Sequence, residues 1–274
     1  MPIVTISRGS ASLGKEVAEL VAQKLDYKCV GRDVILEASD DFNIPELKLV
    51  AAVEDPPSIL ERFSRGKQRY IAYIRAALLR HFKEDDVVYH GVLGHYFLEG
   101  ISHVVKVRVL ADTELRVAVL RKRDNISEEA AHEVLAQNDK ARRQWAMHLY
   151  GIDPADPEIY DLVVHVGKLN AEYAADTICR IAGIPSFQAT SISQSLVEDL
   201  ALEARLEALL LEHLPEMKVS VKNGQAKVFV KPARVLSGSS SEFDSHYRKD
   251  MERRILELTR DVSEIRKIEV DLLQ

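Results

Sequence analysis

Residues 3–25 read IVTISRGSASLGKEVAELVAQKL. Ile3, Val4, Thr5 and Ile6 form an apolar, β-branched run that stops at a Ser/Gly cluster, the pattern of a buried strand ending in a tight turn. Beyond Lys15 the apolar residues Val17, Leu20, Val21 and Leu25 recur at helical spacing, and Glu16 and Glu19 put acid in the first turns, where a helix tolerates it best. A strand, a loop and a helix are therefore expected. Within the loop, Gly9, Gly14 and Lys15 stand at the spacing of a phosphate-binding loop. A bound phosphate needs several backbone N–H donors, the positive end of a helix and one mobile cation, and this segment can supply all three. Gly9, Ser10, Ala11, Ser12, Leu13, Gly14, Lys15 and Glu16 are thus the candidate ATP or phosphate site, with Lys15 as a point charge on the transferred phosphoryl group. Two features oppose this. Glu16 stands where a hydroxyl residue ordinarily holds magnesium, and Ala11 and Leu13 stand where small flexible residues are expected. The alternative is an ordinary βα turn carrying a surface lysine.

Outward from that segment, strand-like stretches at 87–90, 104–110 and 162–166 alternate with helical patterns at 67–82, 113–121 and 127–150. Such alternation predicts an α/β fold with a parallel sheet flanked by helices. Asp112 and Ser127 stand as N-terminal signals of two of the helices. The alternation closes near Ala182, and the Pro, Ser and Thr of IPSFQATSIS suggest a linker at 185–193. A helix at 196–214, a hairpin of MKVSVKN and QAKVFVK across Gly224, a Ser-rich loop, a helix at 247–258 and a strand at 268–273 follow. The expected division is an α/β domain with a phosphate-binding loop at 1–184, the linker, and a small α+β domain of α-β-β-α-β order at 194–274.

Of 274 residues, 46% are hydrophobic and 29% charged, which excludes global disorder, collagen and coiled coil. Thirty-seven basic against 43 acidic residues leave a net charge of -6, so binding of nucleic acid through bulk charge is not expected. Cys29 and Cys179 lie far apart and outside any zinc spacing, so neither a disulfide framework nor a protein-held metal is indicated and a reducing cytoplasm is the expected location. MPIVTISRGS lacks the features of a signal peptide, and charges interrupt every apolar stretch before it could span a bilayer, so export and integral membrane association are not expected.

The segment ISRGSASLGKEVAELVAQKLDYK, residues 6–28, resembles the start of the cytidylate kinase-like proteins, a branch of the nucleoside monophosphate kinases with a P-loop fold. Their loop typically reads ISR, two variable residues, then GSGGREIA. Ser12, Gly14 and Glu16 fall on that pattern, Lys15 replaces its arginine, and Ala11 and Leu13 replace glycines. The resemblance continues through RDVILEASDDFNIPELKLVAAVEDPP (32–57), HGVLGHYFL (90–98), NISEEAAHEVLAQNDKARRQW (125–145) and HLYGIDPADPEIYDLVVHVGKLN (148–170), covering about residues 1–182. Its implications are ATP-dependent phosphoryl transfer to CMP or dCMP, with Mg²⁺, lid arginines Arg123 and Arg142 on the transferred phosphate, and Arg32 and Asp33 near the acceptor nucleotide. Asp33 has an alternative role as a helix cap. Where the family has GRG, with an arginine aimed at the nucleotide, this chain has Gly91, Val92, Leu93 and Gly94. The C-terminal pattern is similar to BON domains, and self-association or a protein partner is its expected role. Two functions stand side by side: a nucleoside monophosphate kinase, and a nucleotide-binding regulatory module whose turnover Ala11, Leu13 and Val92 have compromised and which signals through its C-terminal unit.

Overall fold

The computed structural model describes residues 1–31, 33–42, 65–91, 94–214, 216–231 and 241–272. In chain order these form β1 (Ile3–Arg8), α1 (Gly14–Leu25), β2 (Lys28–Val30), α2 (Asp33–Phe42), α3 (Arg65–Phe82), β3 (Val87–His90), β4 (Val104–Ala111), α4 (Thr113–Asp124), α5 (Glu128–Tyr150), β5 (Leu162–Val166), α6 (Ala171–Ala182), α7 (Ser191–Leu210), β6 (Met217–Lys222), β7 (Gln225–Val230), α8 (Ser241–Leu258) and β8 (Lys267–Leu272). Arg32, Val92, Leu93 and the 43–57 part of the resembling segment lie outside the described residues.

β1 to β5 make one parallel sheet in the order β2-β3-β1-β4-β5. β1 is central and buried along nearly its whole length, which is why its sequence is a continuous apolar run rather than an alternating one. One face is covered by α1 and α6 through Val17, Val21, Ala174 and Ile178, the other by α2 and α3 through Ile35, Leu78 and Phe82, with α7 packed on α3. Each large apolar side chain fully buried there contributes about 1.5–3 kcal/mol. The expected α/β fold is observed.

α7 faces two ways. Val197, Ala201, Ala204 and Ala208 form a small-residue stripe against α3, and Leu202, Leu206 and Leu210 point to the apolar clusters of the C-terminal unit. Arg75 on α3 reinforces the first contact, reaching Glu207 at 2.7 Å and Glu203 at 3.1 Å, one helical turn apart. The three-stranded sheet of that unit runs β6-β7-β8, with β6 antiparallel and β8 parallel to β7. Asn223 and Gly224, at φ 52° and 71°, make the turn between β6 and β7, the conformation an Asn-Gly hairpin requires.

Several expected boundaries shift in the structure, among them the start of the helix expected at 247, which begins at Ser241. α7 begins at Ser191, inside the stretch expected to be linker, because Thr190 and Ser193 form a reciprocal capping box with bonds of 3.0 and 3.1 Å. Ser127 caps α5 by accepting from the Ala130 amide, as expected, whereas Asp112 sits at the N-cap of α4 without a capping bond and lies 3.5 Å from His165. Among the described residues, no helix is long and apolar enough to cross a membrane.

Candidate phosphate site

β1 sits where the connections leave the sheet in opposite directions, and in such sheets ligands bind in the crevice beyond the carboxyl ends of the strands at that point. The loop after β1 occupies this position. Ala11 and Leu13 take left-handed φ values of 54° and 59°, the conformation glycine adopts freely and an L side chain adopts at about 1–2 kcal/mol. The turn of the backbone therefore survives without its glycines. The Leu13 side chain is partly buried against the core beside α1 and does not line the crevice, while Ala11 packs against the cluster of α4 and α5. Leu13 is also the N-cap of α1 and makes no side-chain cap, so the first α1 amides donate to no capping side chain and the positive end of the helix is open to an anion.

A cavity of about 180 Å³ opens over this loop, lined in part by Ser7, Gly9, Ser12, Leu110 and Pro154. Its charged residues are Arg8, Arg108, Arg116, Arg142 and Arg143 against Asp139. Helix α5 is joined directly to the loop: Arg142 donates to the Arg8 carbonyl at 2.9 Å and Asn138 to the Ser10 hydroxyl at 3.4 Å. Arg116 on α4 donates to the Ser10 carbonyl at 2.8 Å and holds both Asp139 carboxylate oxygens at 2.8 Å. Arg108 stands beside Ser7 in the β1/β4 register and donates to Tyr160 and to the Pro154 carbonyl, and Tyr160 in turn reaches Ser7 at 3.2 Å. Two loop carbonyls are thereby turned to arginines, which favours amides rather than carbonyls facing an incoming phosphate.

The residues singled out in the sequence fall in different places. Gly9, Ser12 and Arg142 line the cavity. Ser10 is buried against Arg116 and Asn138, and Gly14 lies under the Arg8 side chain, where an added Cβ would stand 2.6 Å from the Arg8 Cβ. Lys15 is exposed and paired with Glu19 at 3.5 Å, and Glu16 faces outward from the first turn. Arg123 is engaged with Asp124 at 2.6 Å rather than with the loop. Asp33 opens α2 on the exposed side. Asp153, Asp156 and Asp161 accept backbone amides of Ala155, Glu158 and Lys106, as befits residues of a loop and strand start.

The second glycine turn follows β3. A Cβ at Gly91 would meet the Tyr89 hydroxyl at 2.1 Å, and one at Gly94 the Tyr89 ring at 2.2 Å, so both glycines accommodate this tyrosine. The His90 ring packs against Gly31 and is pushed down to about pKa 4, chiefly by burial and further by the charges of Arg8 and Lys15. His95, buried and in ring contact with Tyr96 and Tyr160, is pushed to about 3 by burial and stands apart from the cavity as a neutral packing residue.

Arg8, Arg108, Arg116 and Asp139 were not singled out as ligands from the sequence. A signal existed for the first two: arginines within strands of a parallel sheet have no apolar reason to be there. The Ser12 hydroxyl donates to the Gly9 carbonyl at 3.0 Å, which leaves the lone pairs of its oxygen uncommitted by that bond. Among the described residues the His and carboxylate group close enough to hold a metal is Glu114, Glu128 and His132, all exposed and outside the cavity. A larger cavity of about 770 Å³, between α2, α3, α7 and the β6/β7 turn, contains none of the loop residues, and its charges are largely matched, as in Arg80 with Asp41 and Arg205 with Glu264.

Residues 3–168 match the cytidylate kinase-like family. This chain belongs to that family. Among relatives of this cytidylate kinase-like protein, the cytidylate kinase of Sulfolobus acidocaldarius is 25% identical over 176 residues, 64% of this chain and 91% of the relative. That of Archaeoglobus fulgidus is 29% identical over 182 residues, 65% of this chain and 92% of the relative. A solved structure of an uncharacterized protein from Eubacterium ventriosum shares the fold with a TM-score of 0.50 at 18% identity, over 66% of this chain and 97% of its own. With the family and the sheet order, the architecture is a P-loop kinase fold followed by a small three-stranded sheet.

Proposed function

We propose that this cytidylate kinase-like protein transfers a phosphoryl group from ATP to a nucleoside monophosphate, with CMP or dCMP as the acceptor. The observation that carries the proposal is the uncapped N-terminus of α1 behind a loop held in its glycine-type conformation, roofed by Arg116 and Arg142. In this mechanism an oxygen of the acceptor phosphate forms the new bond to the terminal phosphorus of ATP as the bond to the β-phosphate oxygen breaks, so NDP and ADP form with charge conserved and no covalent enzyme intermediate. Magnesium, where bound on the phosphates, neutralises part of their charge. The α1 amides and Lys15 take up donor phosphate charge, Arg142 swings from the Arg8 carbonyl to the transferred group, and Arg123 joins it on leaving Asp124. Little restrains Lys15, since an exposed pair such as that with Glu19 is worth about 0–1 kcal/mol. By the family resemblance, Arg32 and Asp33 are assigned to the acceptor side.

The second function, a nucleotide-binding regulator with weakened turnover, is favoured by the two L residues at positive φ in the loop. Under it, a BON-like unit at 194–274, joined through 185–193 to the kinase domain at 1–184, passes the bound state on through α7 to a protein partner or a second copy. Both functions place the protein in the cytoplasm, where its nucleotides are. ADP release measured with ATP, Mg²⁺ and each monophosphate in turn separates them: turnover on CMP or dCMP is expected, and ATP binding with no turnover on any acceptor establishes the regulator instead.

A further inference from the structure

Four of the five arginines around the cavity are engaged: Arg108 with Pro154 and Tyr160, Arg116 with Ser10 and Asp139, Arg142 with the Arg8 carbonyl, and Arg143 with Asp153 at 2.6 Å. Arg8 is not. Its Nε is buried without a hydrogen-bond partner, and its guanidinium has no ion pair among the described residues. The aliphatic stem of the side chain lies across Gly14, the first residue of α1, and Arg8 lines the cavity over the loop. Arg8 is half-buried, and a partly desolvated cation without a counter-charge carries a cost that a guanidinium does not relieve by losing its proton.

We infer that Arg8 is a phosphate ligand of this site, its guanidinium and the first α1 amides taking oxygens of the same nucleotide phosphoryl group. Burial is the main cause of the depressed pKa of Arg8, and the charge of Arg123 adds to it, as expected of a cation awaiting an anion. The arginine that family members carry in the turn after β3 has no counterpart at Val92, whereas Arg8 is the arginine of the ISR with which the family's loop begins. This assignment rests on the phosphate-site function proposed above.

Thermal unfolding and calorimetry of the full chain, titrated separately with inorganic phosphate, ATP and CMP, test it on wild type, Arg8→Met and Arg8→Lys. Removing this unpaired, half-buried charge should leave the ligand-free Tm of Arg8→Met no lower than that of wild type. The same variant should lose about tenfold to a hundredfold in affinity for phosphate and for whichever nucleotide supplies the group, with Arg8→Lys between it and wild type. If Arg8→Met does not fold, Arg8→Lys at wild-type Tm with weakened phosphate binding carries the same conclusion. Undiminished phosphate, ATP and CMP affinity in the variants, while wild type binds, overturns the role of Arg8 alone. Failure of wild type to bind phosphate, ATP or CMP overturns the phosphate site itself.

Discussion

The turns after β1 and after β3 leave the same edge of the same sheet, and both depart from the glycine patterns of the family, in opposite ways. After β1 the glycines are replaced by Ala11 and Leu13, yet both residues hold left-handed φ values and the backbone path remains. After β3 the glycines Gly91 and Gly94 remain, yet they make room for the Tyr89 ring and hydroxyl, and the arginine between them is absent from the sequence. In the first turn residues changed and the conformation was kept at a cost in strain. In the second, residues were kept while serving packing. A motif match therefore says less about chemistry than the backbone conformation and side-chain contacts beneath it.

If the β1 turn still serves phosphate, removing its cation should have the largest effect in the molecule. Lys15→Ala is expected to lower turnover about a thousandfold with Tm nearly unchanged, measured by ADP release and thermal unfolding, because the side chain is exposed and packs on no core. The β3 turn should respond in the other observable. Gly94→Ala forces a methyl group against Tyr89 and should cost about 1–3 kcal/mol of stability in denaturant titration, whereas replacement of Ser12, a cavity residue, by Ala should cost less.

The next effect is in pH. His90 and His95 have folded-state pKa values of about 4 and about 3, below the ordinary value of 6.5, so both are neutral when folded. The unfolded chain binds their protons below about pH 6.5, so their contribution is present above that pH and is lost as pH falls toward 4. Stability should fall by up to about 1.4 kcal/mol per pH unit for each histidine, and His90→Asn should flatten the slope. The smallest effect is Ala11→Gly: release of left-handed strain, less the greater entropy lost by glycine on folding, should stabilise by about 0.5 kcal/mol and leave nucleotide affinity equal or improved.

Much of the framework was legible in the sequence. The β1-loop-α1 unit, the strand at Val87–His90, the strand at Leu162–Val166 and the cap at Ser127 follow from apolar runs, periodicity and hydroxyl placement, which are local properties. The site was less so. Arg116 and Asp139 meet across two helices, and Arg108 enters the cavity only through its register beside Ser7, relations that a single sequence does not encode locally. The start of α7 was hidden because Thr190 and Ser193 can serve a loop or a capping box, and its two-sided role depends on which stripe meets which core. Arg123, expected on the transferred phosphate, lies against Asp124 in the structure, an adjacent competitor visible in the sequence but not weighed.

Backbone amide hydrogen exchange of residues 9–16, with and without ATP and Mg²⁺, tests the central claim most directly. The account predicts that exchange of the amides from Ser12 to Glu16 slows on ATP addition, and that Lys15→Ala weakens the effect. Unchanged exchange throughout this loop at saturating ATP, or protection confined to the cavity between α3 and α7, would contradict it.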